Sequence, residues 1–330
     1  LTAAEMQAFE NFLATVTFPP NPNRKLDNTL PTTMALPGHY TSGRFAMAGI
    51  PIGSGNPVRG LQLYTRDVLD APFQCASCHT LPTGMAVNGP LMLGAINFSA
   101  GGSVMAHGPM GENHLGIVSV DGSTNVSIKT PQLRNQYEKV GMELGRTDSM
   151  AGFGFLHDGS VDSLSRFISA RTFSVRSDQD VADLIALMLA FSGSDFDANA
   201  NPLLGAPPPL SRDSHAAVGA QVTLNSGAPN ARASELIAIA DTGKVGLVAR
   251  LGTRGLAFDR NTDNFLSADG SAPTSFASLQ AAASPAQALT LSIVPAGLER
   301  RLGIDRDGDG IGDAVETKQG SNPADATSTT

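Results

Sequence analysis

Apolar residues recur at helical spacing in only a few stretches of this chain. In the first, Met6, Phe9, Phe12, Leu13 and Val16 fall on one face, Thr2 and Glu5 have the spacing of a capping box, and Pro19 and Pro20 stop the pattern. This predicts an N-terminal helix whose apolar side, Met6 included, packs into a core. Residues 19 to 60 show no period and read as irregular linker. Gly60 to Val68 is a short helical candidate leading into a pair of cysteines. From there to about Lys129, Gly, Pro, Ser and Asn are so frequent that loops with little regular structure are expected. Helical spacing returns after Pro131 in Gln132 to Val140, then in Val161 to Ser169. It is clearest in Val181 to Phe191, where Ser177 and Asp180 offer a second cap and Gly193 a stop.

The pattern changes after Gly205-Ala-Pro-Pro-Pro-Leu210, a run that stiffens toward polyproline II and reads as a domain boundary. Beyond it, Ala217 to Leu224, Val245 to Leu251, Gly255 to Asp259 and Ala288 to Val294 are short, partly alternating and bounded by turn residues. These read as strands, with a helix near Ser234 to Ala240. No repeat of solenoid or propeller period is present, and the tail from Ser321 is polar.

Composition narrows the function classes. A formal charge of −8 and a pI near 5.2 leave no basic stripe for phosphates, which argues against a nucleic-acid partner and for a basic protein partner. No run approaches the roughly 18 apolar residues of a membrane span, and the longest apolar helix candidate is interrupted by Asp183. The 35 Gly and 21 Pro residues predict many turns and long connections, which suit a small helical domain wrapped around a cofactor. The chain begins at Leu1 with neither an initiator Met nor a charged-then-apolar leader, and so reads as a processed chain or a fragment whose export signal has been removed.

Both cysteines lie in Phe73-Gln-Cys75-Ala-Ser-Cys78-His79. Two thiols three residues apart on a helical turn can add to the two vinyl groups of one haem while the adjacent imidazole reaches the iron from the same side. A disulfide, a thioredoxin-type redox pair and half a zinc site are the alternatives. Zinc would need further ligands, and the redox pair a βαβ context that the pattern does not show. The expected cofactor is therefore one covalent haem c on Cys75 and Cys78, with His79 as axial ligand. Pro82 either lets a nearby backbone carbonyl accept the His79 Nδ1 proton and fix the ring, or is a simple turn proline. The ligand on the opposite face decides the function, because a Met thioether gives an electron carrier and a vacant face permits peroxide chemistry. Met85, Met92, Met105, Met110, Met142 and Met150 lie downstream of the motif, while His107 and His114 keep bis-His ligation open.

From Thr130 the sequence runs Thr-Pro-Gln-Leu-Arg-Asn135, then Gly154-Phe-Leu-His-Asp-Gly-Ser-Val161 and Leu164. With the Cys75 to His79 motif, this resembles the electron-transferring haem domain of bacterial di-haem cytochrome c peroxidases and their methylamine-utilisation maturation relatives, over roughly residues 55 to 195. The resemblance implies that the Thr-Pro-x-Leu-Arg-Asn stretch and the aromatic-x-His-Asp-Gly turn help enclose the haem. The chain departs from the family in having a single Cys-x-x-Cys-His and no Trp to bridge two haems. The stretch Leu164 to Thr172, which supplies the family's Met ligand, holds Arg171 and no Met. Tyr137-Glu-Lys-Val-Gly-Met142 resembles a segment of single-haem and propeller-linked relatives, which makes Met142 the first choice for the second iron ligand, with Met150 and Met110 in reserve. Arg134 is a candidate partner for a haem propionate, since its guanidinium matches a carboxylate bidentately; the alternative is a surface arginine. His157 reads as a turn organiser beside Asp158 and Gly159.

Near the C-terminus, Asp305, Asp307, Asp309, Asp313 and Glu316 occupy positions 1, 3, 5, 9 and 12 of a twelve-residue loop, with Gly310 at 6 and the Ile311 carbonyl at 7. Five clustered carboxylates repel one another unless a divalent cation neutralises them, and the spacing suits calcium; an acidic solvated loop is the alternative. Without long flanking helices, the loop resembles the thrombospondin-type or dockerin-type calcium loops of extracellular proteins, which implies a structural ion.

The fold class expected is thus a mainly α cytochrome c domain with long loops in residues 1–204, a small β-rich module in 205–300, and a calcium loop with a polar tail in 301–330. The function expected is exported, periplasmic or cell-surface electron transfer with a redox protein or neighbouring cytochrome subunits. A peroxidase-like enzyme with an open distal face is one alternative. A haem-bearing module of a surface assembly or homo-oligomer is the other.

Overall fold

Local sequence signals place the helix starts. In a computed structural model, which describes residues 1–84, 95–97, 115–118, 127–129, 131–139, 154–156, 159–192, 196 and 212–328, the Thr2 hydroxyl accepts the Glu5 N–H and the Glu5 carboxylate accepts the Thr2 N–H at 2.7 Å. This completes the capping box of α1 (Ala3–Thr15). Asn56 caps α2 (Pro57–Arg66), with Pro57 in its first turn. Cys75–Cys78 form the single turn of α3. The strands β1 (Ala95–Asn97), β2 (Leu115–Val118) and β3 (Ser127–Lys129) make a three-stranded antiparallel sheet. After α4 (Leu164–Ile168), the Ser177 hydroxyl caps α5 (Asp178–Leu189) by accepting the Asp180 N–H at 3.1 Å.

The chain divides into two compact units, Leu1–Lys25 with Thr29–Asp213 and Leu26–Asn28 with Ser214–Thr330. In the first, α2 crosses α5 over a core that includes Leu63, Tyr64, Leu81, Val181, Ile185, Leu187 and Phe191. Glycine lets the two helices approach: a Cβ at Gly60 would collide with the Asp183 carbonyl. Asp183, which breaks the apolar run, is fully buried as a clamp. It accepts the Asn56 N–H at 2.7 Å and Gln179 Nε2 at 2.8 Å, and pairs with Arg59, which also pairs with Asp180. Gly60→Ala is expected to lower stability by about 3 kcal/mol, because the clash is with backbone and cannot be relieved by a rotamer change. A shift in urea midpoint checks this against Gly53→Ala, where a Cβ meets nothing within 4 Å.

In the second unit, β4 (Gln221–Leu224), α6 (Ala231–Asp241), β5 (Val245–Leu251), β6 (Arg254–Asp259), β7 (Asn264–Ser267), α7 (Phe276–Ala282) and β8 (Leu289–Pro295) follow in order. The strands form an antiparallel sheet in the order β4-β8-β5-β6-β7, with Leu247 opposite Ile293 and Val248 opposite Ala257. Alternation sends Leu247, Leu256, Phe258, Leu291 and Ile293 to the core with α6 and α7. Ala257 on the other face packs with Ile304, just after α8 (Glu299–Gly303). The acidic loop follows and ends in α9 (Asp313–Gln319).

Several expectations are corrected. The chain is not mainly α: helix accounts for 31% and strand for 17%, and a five-stranded sheet is a principal element. The stretch after the cysteines holds the three-stranded sheet rather than loops alone, because segments of three or four residues are too short to show alternation. The helix expected over Gln132 to Val140 is a single 3₁₀ turn at Gln136–Glu138, since the left-handed Asn135 and long-range backbone bonds at Pro131 and Leu133 prevent helical hydrogen bonding. Finally, α1 buries no residue; Met6 is 49% and Phe12 62% exposed, so this face is not core. No helix among the described residues is long and apolar enough to cross a membrane.

Candidate functional site

The turn of α3 brings Cys75 and Cys78 to neighbouring positions on one helical face, and no disulfide joins them. Burial, reinforced by the charge of Asp70, pushes the Cys75 thiol up to about 12 and the Cys78 thiol to about 11. Both are therefore thiols at neutral pH, unlike the low-pKa cysteine of a redox or nucleophilic pair. His79 follows at the end of the turn, its N–H donating to the Cys75 carbonyl at 2.9 Å.

The His79 ring is fixed by two backbone carbonyls, Gly84 at 2.8 Å and Pro131 at 3.1 Å from Nδ1. A carbonyl only accepts, so Nδ1 carries the proton and the lone pair of the neutral ring resides on Nε2. Burial lowers the His79 pKa against the opposing pull of these carbonyls, which keeps the ring neutral and able to ligate a metal. Tyr64, fully buried on α2, donates its hydroxyl to the His79 carbonyl, and its ring meets Phe191 edge-on at 6.1 Å. His79 is thus braced through both ring and backbone.

The segment beginning at Pro131 comes to the motif across 52 positions of sequence. Besides the Pro131 contact, the Leu133 N–H donates to the Thr83 carbonyl at 3.2 Å, and Leu133 covers Gly84, where a Cβ would lie 2.8 Å from its side chain. Arg134 is buried: its guanidinium lies 3.7 Å from the Asp213 carboxylate and stacks over Phe18 at 4.3 Å. Burial lowers its pKa while Asp213 opposes the shift. Phe155 and Val161 pair as an isolated antiparallel bridge, and Phe155 packs on the core. Met142, Met150, Met110, Met85, Met92, Met105, His107, His114, His157 and Asp158 lie outside the described residues.

The acidic loop is shaped by its own carboxylates. Asp305 accepts the N–H groups of Gly308 at 2.8 Å and Gly310 at 3.1 Å, Asp309 that of Ile311 at 2.7 Å, and Asp313 that of Arg306 at 2.7 Å. Gly308 and Gly310 have φ of +80° and +96°, a conformation that disfavours other residues. Carboxylate oxygens of Asp305, Asp307 and Asp309 gather within 4.8 Å. Glu316, brought in by α9, is fully buried with both oxygens lacking a hydrogen-bond partner, as is Oδ2 of Asp307. Burial, then repulsion from Asp307, Asp309, Asp313 and Asp305, raises the Glu316 pKa. These residues could hold a cation, and an all-oxygen donor set suits calcium.

Sequence reasoning named the cysteines, His79 and every carboxylate of the loop, and anticipated a backbone carbonyl near Pro82 for the His79 ring, which is that of Gly84, but missed Tyr64 and Pro131. For Tyr64 the signal was present, one turn after Gly60 on the helix leading into the motif. Nothing in the sequence links Pro131 to His79. No family model, no curated protein and no solved structure matches this chain.

Proposed function

We propose that the chain is a c-type cytochrome that carries one covalent haem for electron transfer outside the cytoplasm, with a structural calcium ion in the C-terminal loop. The observation that supports the haem most is the arrangement of His79, whose Nδ1 proton is committed to the Gly84 and Pro131 carbonyls and whose Nε2 is left as a ligand atom beside two protonated thiols. Cys75 and Cys78 hold the group: each S–H adds across one vinyl double bond, its proton going to carbon, so attachment needs no oxidant. When bound, the haem supplies a one-electron iron couple. Tyr64 and the two carbonyls orient His79, and the Pro131–Arg134 segment shields its protonated edge. Met142 is the proposed sixth ligand. Arg134, already engaged with Asp213, remains a propionate candidate only if the two acids share it.

The net charge of −8 favours a redox partner with a basic face. Calcium loops of extracellular modules bind at about 10⁻⁴–10⁻³ M, which fits a periplasmic or surface location. The test is the absorption spectrum of the oxidised protein. A low-spin spectrum with the weak near-infrared sulfur-to-iron band, lost in Met142→Ala, is the expected result. A high-spin spectrum would replace the electron carrier with an open-faced, peroxide-reactive protein, and a low-spin spectrum without the band would move the ligand to a histidine.

A further inference from the structure

Neither the haem nor the calcium reading uses the apolar face of α1. Met6, Phe9, Phe12 and Leu13, with Val16 at the C-cap, fall within about 120° of the helix circumference and are 48–62% exposed. Only Glu10 and Ala14 of the helix are less than fully exposed, and both lie outside that arc, so the arc points away from the body of its own unit. The anchor follows the helix: the Phe18 N–H donates to the Arg212 carbonyl at 2.9 Å, and Arg134 stacks over the Phe18 ring. A helix of 13 residues that buries none of them is marginal in water, because helices shorter than about 12–15 residues rarely outweigh the cost of nucleation. The capping box at Thr2 is a small offset, so α1 needs a cover for its apolar side.

The face itself selects the occupant. Its helix carries Glu5 and Glu10 and no Lys or Arg, the opposite of a helix that lies in an anionic lipid surface. A second α1 is complementary to it. When two copies run antiparallel with Asn11 at the crossing, Met6 of each meets Val16 of the other, Phe9 meets Leu13, and Phe12 flanks the seam. Glu5 is the one charge within the arc, and this register holds the two copies of it about 18 Å apart along the axis. The helix dipoles then oppose each other favourably, and one patch serves both partners, as a two-fold axis requires. Five half-exposed side chains offer about 100 Å² apiece, so a pair buries about 1,000 Å², the size at which specific interfaces begin.

We infer that this face is the contact between two copies of the chain, paired through α1 as an antiparallel dimer. Sedimentation equilibrium of the full chain should show monomer at about 1 µM and dimer forming in the tens of micromolar, as so small an interface gives. Hydrogen-exchange protection within residues 3–16 should rise over the same range. Added salt should leave the association unchanged or strengthen it, since each copy carries a charge of −8. Phe9→Gln combined with Phe12→Gln keeps the charge and alters no buried residue, so the variant should fold and dimerise at least about tenfold more weakly. Monomer at every concentration, or a dimer of unchanged affinity in the variant, would overturn the assignment. So would protection of residues 3–16 that is independent of concentration, which would mean a cover from within the chain, or protection gained only on phosphatidylcholine vesicles, which would make lipid the occupant.

Discussion

Replacing Cys75 and Cys78 together by serine is expected to abolish covalent haem. The wild-type chain, made in a host that matures c-type cytochromes, should retain its chromophore through acid extraction and denaturing electrophoresis, and the double variant should lose it. Each single variant should keep one thioether and show the shifted pyridine haemochrome of a haem with one intact vinyl. The stability effect should also be large. The motif lies within the core of the first unit, with Ala76, Leu81 and Tyr64 buried around it. Losing a large buried group leaves a cavity in that core, and large-to-small core changes cost about 3–5 kcal/mol even for a single aromatic side chain. That is a large share of the roughly 5–15 kcal/mol that a domain has. Loss of near-ultraviolet circular dichroism in the double variant would report it. Wild-type protein without extractable-resistant haem would sink the cytochrome reading outright.

Calcium removal is the second large effect. With both Glu316 oxygens buried and unpartnered, the loop without a cation holds a carboxylate that is more easily protonated folded than unfolded. The folded state then binds the extra proton. Stability of the calcium-free unit should therefore fall as pH rises from the ordinary glutamate range through the raised Glu316 value. Calcium reverses the sign: binding needs the deprotonated side chain, so stabilisation by the ion should grow with pH across the same interval and be lost on acidification. At a hundredfold excess over the dissociation constant, the ion should add about 2.7 kcal/mol. Thermal melts with calcium and with chelator, at two pH values, measure all of this. Glu316→Gln should remove the pH dependence and most of the calcium effect; equal melts with and without calcium would leave an acidic loop and nothing more.

Much of the candidate site was legible because its signals are local. The turn carrying Cys75, Cys78 and His79, the capping pairs at Thr2 and Ser177, and the spacing of carboxylates from Asp305 to Glu316 each depend on residues within a few positions of one another. The same holds for β5, whose Val245–Leu251 limits follow from alternation between two turns. Where the sequence misled, a local pattern was overridden by distant partners. Met6 and Phe12 have helical spacing, but spacing cannot say whether a neighbour covers the face. Gln132 to Val140 has helical composition, yet its first backbone groups are committed to Thr83 and His79.

The amino-acid sequence by itself determined the chemistry of the two sites, since thiol, imidazole and carboxylate spacings are set by covalent connectivity and helical or loop geometry. Only the tertiary structure decided how those groups are held: which carbonyls fix the His79 ring, that the polar interruption at Asp183 is a buried clamp, that Arg134 faces Asp213, and that Glu316 is sealed from solvent. The physical reason is that donor identity is a property of single residues, whereas burial and hydrogen-bond partnership depend on segments far apart in sequence that meet only when the chain has folded.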